Sequence, residues 1–105
     1  MKTITIIISL LILVNVLLTL PLVNTAQKYL EEYPLSYRGL YLFLLNDGYT
    51  PAQATRAIEL CNVDWNEQVV RAAEHYSNYI PCDRIYIQLL VDGFTPDQLC
   101  GGRIP

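Results

Sequence analysis

Charge is scarce in this chain: 16% of its 105 residues are charged, and histidine and tryptophan occur once each, at His75 and Trp65. A His-based metal cluster or a serine–histidine–aspartate arrangement would have to run through His75. No nucleophile–base pair, glycine-rich phosphate loop or clustered carboxylate site accompanies it, so neither an enzyme nor a cofactor is expected. Cysteine is limited to Cys61, Cys82 and Cys100. They allow one disulfide with a thiol left over, in any of three pairings, or they serve as small buried hydrophobes. Their spacing matches no metal site. Because the first of them is Cys61, the chain also lacks a Leu-x-x-Cys lipidation site. A basic stripe is missing too. From Asn24 onward six basic residues face ten acidic ones, a formal charge of −4. Such a module does not steer toward nucleic acid or anionic lipid and favours a basic protein partner.

What the chain has in quantity is aliphatic residues at its start. Thr3 to Val23 carries no charge and is dominated by Ile, Leu and Val, with Ser9, Asn15 and Thr19 among its few polar positions. A helical run of about 20 such residues matches the hydrocarbon core of a bilayer, roughly 30 Å. Residues 1–25 are therefore expected to be a membrane anchor or signal segment. Pro21 and Asn24-Thr25-Ala26 look like the helix break and small residues that precede a cleavage site. Against cleavage stand the length of the apolar run and Asn24 at a position where a small residue is preferred. An uncleaved anchor is the favoured reading, with the protein secreted if the segment is removed. Lys2 and the α-amino group keep the N-terminus inside, so the remainder faces outward.

That remainder repeats itself. Asp47-Gly48-Tyr49-Thr50-Pro51 and Asp92-Gly93-Phe94-Thr95-Pro96 align at an offset of 45, and Ala26, Tyr29 and Pro34 align with Ala73, Tyr76 and Pro81 at an offset of 47. A period of this size marks stacked supersecondary units that share a core. The expected architecture is all-α: a membrane helix, a first three-helix repeat over 26–62 and a second over 63–105. In each repeat the first helix stops before Pro34 or Pro81. The second starts after Ser36 or Asp83, carries Leu40 and Leu44 or Ile85 and Leu89, and ends at Gly48 or Gly93. The third opens on Thr50-Pro51 or Thr95-Pro96, a cap followed by proline in the first turn. Ala54, Ala57, Ile58 and Cys61 form its buried stripe in the first copy. Asp64 and Glu67 have capping-box spacing, so the next helix begins there and runs to Tyr79. It presents Trp65, Val69, Ala72, Ala73 and Tyr76 on one side, with Trp65 as a core anchor between the units. Gly101 and Gly102 leave the last helix short.

The run Val63-Asp64-Trp65-Asn66-Glu67-Gln68-Val69, with Ala72, Ala73 and Tyr76 and then Gln88-Leu89-x-x-Asp92-Gly93-Phe94-Thr95-Pro96, resembles the Ltp-like host cell surface-exposed lipoproteins of temperate phages and bacterial genomes. Ser36, Gly39 and Leu40 match the same family's Phe-Ser-x-x-Gly-Leu element in the first copy. The likeness covers nearly everything after Thr25, and Asp64-Trp65-Asn66-Glu67-Gln68 is its most specific part. It implies tandem helix-turn-helix-like units and a role in superinfection exclusion. In that role a resident phage's protein binds the tape-measure protein of an incoming tail and keeps its DNA from crossing the membrane. The chain departs from the pattern in lacking the lipidated cysteine, in its Pro81-Cys82-Asp83-Arg84 turn and in its shortened last helix.

On this reading the exposed acids are the contacts for a basic partner. Asp47 and Asp92, which recur beside a turn in both copies, come first, followed by Glu31, Glu32, Glu74 and Asp97. Asp64, Glu67 and Asp83 are better placed as caps. Two other classes fit less well or with less detail. A DNA-binding regulator would need the basic stripe that is missing. A host cell-envelope adaptor with no phage role has the same sequence requirements as the exclusion protein, and genomic neighbourhood separates the two.

Overall fold

A computed structural model describes residues 2–101, the side chains at 11–19, 100 and 101 lying outside that description. All regular structure among the described residues is α-helical: α1 Lys2–Glu32, α2 Tyr37–Asn46, α3 Pro51–Cys61, α4 Trp65–Ser77, α5 Cys82–Val91 and α6 Pro96–Gly101. The long axis of the molecule is 65 Å.

The turns arise from their residues. Ser36 is extended at the start of α2, and its hydroxyl accepts from the Gly39 N–H at 3.0 Å. Thr50 and Gln53 close a reciprocal capping box on α3, and Thr95 and Gln98 make the same pair of bonds at α6. At the end of α2, Gly48 takes φ +99° while the Tyr49 N–H reaches the Leu44 carbonyl and the Gly48 N–H reaches Leu45. Gly93, at φ +106°, repeats the pattern after α5, with Phe94 bonded to Leu89 and itself to Leu90. Both are left-handed helix ends that use up otherwise orphaned carbonyls. Asp64 caps α4 through the N–H groups of Asn66 and Glu67.

Two hydrophobic cores result. The first joins Leu22 and Ala26 of α1, Leu40 and Leu44 of α2, and Ala54, Ala57 and Ile58 of α3. The second joins Val69, Ala72 and Ala73 of α4, Ile85 and Leu89 of α5, Phe94, and Leu99 of α6. Trp65, the first residue of α4, packs against the first core and lies 5.7 Å from the Tyr37 ring, so it bridges the two groups of helices.

Three expectations change. Pro21 does not separate the leader from the rest of the chain, since α1 runs through it to Glu32. Packing of residues 22–30 against α3 outweighs the helical donor that proline removes. Asp83 does not cap α5. That helix starts two residues earlier, at Cys82, with Pro81 in the cap position and no side-chain cap bond, because it follows its proline directly whereas Leu35 and Ser36 separate Pro34 from α2. The helix expected to reach Tyr79 ends at Ser77. Among the described residues no helix is long and apolar enough to cross a membrane. The middle of the apolar run, residues 11–19, lies outside the side chains described, as do Cys100 and residues 102–105 of the chain's end.

Candidate functional site

The helical groups meet along a polar seam. The Arg71 guanidinium reaches from α4 to the carbonyls at the end of α1, Leu30 at 2.6 Å and Glu31 at 3.1 Å. The Arg38 guanidinium reaches from α2 in the opposite sense, to the Val91 carbonyl at the end of α5. Each group thus places a cation on the negative terminus of a helix in the other. Between them the Ser36 hydroxyl donates to the Asp92 carbonyl at 2.5 Å, and the Leu35 N–H donates to Gln68 Oε1 at 3.1 Å. Gly93 lies so close that a Cβ there would stand 2.9 Å from Ser36 Oγ.

Above this seam opens a cleft of about 630 Å³. Its walls are the turn that follows α1, one face of α2, and the end of α4, with Asp92 at its polar end. Leu42 (54% exposed) and Tyr33 present apolar surface to it, and His75 and Tyr76 close the far side. Phe43 stacks between Tyr29, at 4.9 Å and 11°, and Tyr33, at 5.6 Å, which holds this wall stiff. A cleft of this volume, mostly apolar with a few fixed polar groups, suits side chains of a partner segment.

The two leading acids hold equivalent positions. Each is the C-cap of a helix, where a carboxylate opposes the helix dipole, and each accepts a tyrosine hydroxyl. Tyr29 donates to Asp47 Oδ2 at 2.6 Å, and Tyr76 donates to Asp92 Oδ2, with Gln88 Nε2 on Oδ1 at 3.0 Å. The Asp47 bond holds the Tyr29 hydroxyl pKa above its ordinary value, and burial followed by the Asp92 bond pushes Tyr76 up to about 12. Both tyrosines are therefore neutral donors at neutral pH. Among the described residues the one ion pair is Arg56–Glu59, exposed and 3.9 Å apart, so neither aspartate is neutralised by a cation. Asp47 is exposed, whereas Asp92 is only partly so and is already bonded through both oxygens.

Of the acids expected to meet a partner, Asp92 alone lines the cleft. Glu31, Glu32, Glu74 and Asp97 are exposed but scattered, and Asp47 sits at the end of α2 beside Tyr29. The signature residues are structural in placement: Asp64, Asn66 and Glu67 form the start of α4, while Gly48, Gly93, Thr50, Pro51, Thr95 and Pro96 form turns and caps. Sequence reasoning missed Arg38, Arg71 and Gln68, whose partners lie 33 to 53 residues away. For Arg38 the one signal was a cation with no acid at helical spacing; Arg71, with Glu67 and Glu74 four residues before and three after it, gave none. Cys61 and Cys82 are free thiols, and burial raises the pKa of Cys61. No His, Cys, Asp and Glu grouping among the described residues could hold a metal ion. No family model, no curated protein and no solved structure matches the chain.

Proposed function

We propose that the chain is a membrane-tethered protein-binding module of the superinfection-exclusion type, which captures a tail protein of an incoming phage before its DNA crosses the membrane. The observation that carries the reading is the open cleft at the junction of the two helical groups, walled by rigid aromatic and aliphatic surface with an unneutralised aspartate at one end. Rigid aromatic side chains with polar tips bind protein segments at low entropic cost. The resemblance of Asp64-Trp65-Asn66-Glu67 and its flanks to the Ltp-like surface lipoproteins supplies the biological setting.

The two groups are read as tandem copies, 26–62 and 63–105. Supporting this are the paired Tyr29–Asp47 and Tyr76–Asp92 bonds, the matching Thr–Gln caps and the two positive-φ glycines in the same place. The apolar run up to Leu20 is the tether, the expected last residues Leu22 and Val23 being taken up by the first core, and holding the module at the surface raises its effective concentration for an arriving basic protein. The test is a plaque assay on bacteria making the chain, with phage adsorption and DNA translocation scored separately. Adsorption is expected to stay normal while translocation fails. Leu42→Asp, at an exposed position, is expected to restore plaques at unchanged protein level. Normal plaques on cells making the wild-type chain, across the temperate phages of the host, would remove the exclusion reading.

A further inference from the structure

The last residues of the apolar leader are core residues of the folded module. Leu22 is 2% exposed and Ala26 fully buried, and they are the two buried side chains that α1 contributes to the first core. Val23 packs beside them, and the Cys61 thiol at the end of α3 donates to its carbonyl at 3.8 Å. Two residues away, Leu20 is 51% exposed, so burial begins abruptly after Pro21. The small residues that would mark a processing site lie in the same stretch of helix: Asn24 is exposed, Thr25 bonds back to the Pro21 carbonyl at 2.9 Å, and Ala26 is inside the core.

From this packing we infer that the leader is never removed: residues 22–26 are a structural part of the module, and the bundle is continuous with its anchor rather than linked to it. A cut after Ala26 would strip the first core of both buried contributions from α1. It would leave Gln27–Glu32, under two turns, too short to stay helical on its own. Arg71 would then lose the ordered Leu30 and Glu31 carbonyls that it caps, and the seam between the helical groups would open with it.

The inference depends on the tether reading only for where the chain goes, and the experiment separates the two. The full chain with a C-terminal tag is made in bacteria, fractionated, extracted in mild detergent and weighed by intact-mass spectrometry. Thermal unfolding is followed for wild type, Leu22→Ala and Leu20→Ala. The expected result is an intact chain of 12.0 kDa plus its tag in the membrane fraction. Leu22→Ala should lower the unfolding midpoint by roughly 10 °C or more, with Leu20→Ala close to wild type. A chain beginning at Gln27 that accumulates and unfolds cooperatively overturns the inference, as does a Leu22→Ala midpoint equal to that of Leu20→Ala. An intact chain found in the cytosol removes the tether reading instead, and the paired midpoints then decide the core assignment by themselves.

Discussion

Tyr76 and Asp92 show what a single hydroxyl contributes. The aspartate closes α5 against the helix dipole, and the tyrosine supplies the donor that keeps a partly buried carboxylate satisfied. Tyr76→Phe should cost about 1–3 kcal/mol in urea unfolding, because Asp92 keeps its charge and loses a donor. The same pair sets an alkaline limit. The Tyr76 pKa is higher in the folded chain, about 12 against an ordinary 10, so its contribution is complete below pH 10 and vanishes as pH rises through 12. Wild type should lose stability across that window, and Tyr76→Phe should lose less, with Tyr29 and Cys61, whose pKa values are also raised, contributing to the remainder. The glycines make a second comparison. Gly48 and Gly93 share a positive φ, but a Cβ at Gly48 meets nothing within 4 Å, whereas at Gly93 it meets Ser36 and Arg38. Gly48→Ala should cost about 1 kcal/mol of backbone strain, and Gly93→Ala roughly 2–3 kcal/mol with loss of the seam. Chemical denaturation of the two variants side by side checks this.

Helices are legible in the sequence wherever local chemistry decides them. Ser36, Thr50 and Asp64 read as caps, and Gly48 and Gly93 as left-handed ends, because each acts on backbone groups within three to five residues. The buried positions Leu40, Leu44, Ile85 and Leu89 emerge from spacing of four. What escapes is decided by distant packing. Pro21 and the small residues after it carry the local marks of a break, yet α3 folds back along that stretch and holds it helical. The cleft escapes for the same reason, since its walls come from the turn after α1, from α2, from α4 and from the cap of α5, and no window of sequence contains them together. Asp47 and Asp92 look like free contacts in the sequence because nothing local announces a tyrosine 18 or 16 residues upstream. Ser36 has two tasks, capping α2 and bonding Asp92, so Ser36→Ala should cost about 2 kcal/mol, against about 1 kcal/mol for Thr50→Ala, whose bonds stay within its own turn. Urea unfolding of both variants measures the difference.

For the molecule as a whole, the decisive feature is that two small cores are joined by hydrogen bonds and the single aromatic bridge of Trp65 rather than by merging into one core. Arg38 and Arg71 should each be worth roughly 1–2 kcal/mol by alanine substitution. Removing both should uncouple the halves, so that Trp65 fluorescence, which reports on the seam, changes at lower urea than far-UV circular dichroism. Coincident transitions in the double variant would show that the arginines do not couple the two cores. A seam of this kind also fixes the cleft, because its walls belong to both halves. Leu22, finally, bears on the tether proposed above: were the leader held in a bilayer, the burial of Leu22 and Ala26 in protein would place the lipid boundary no later than Pro21. The module would then have no stalk to swing on, free to spin and drift sideways but with its cleft kept at a single height.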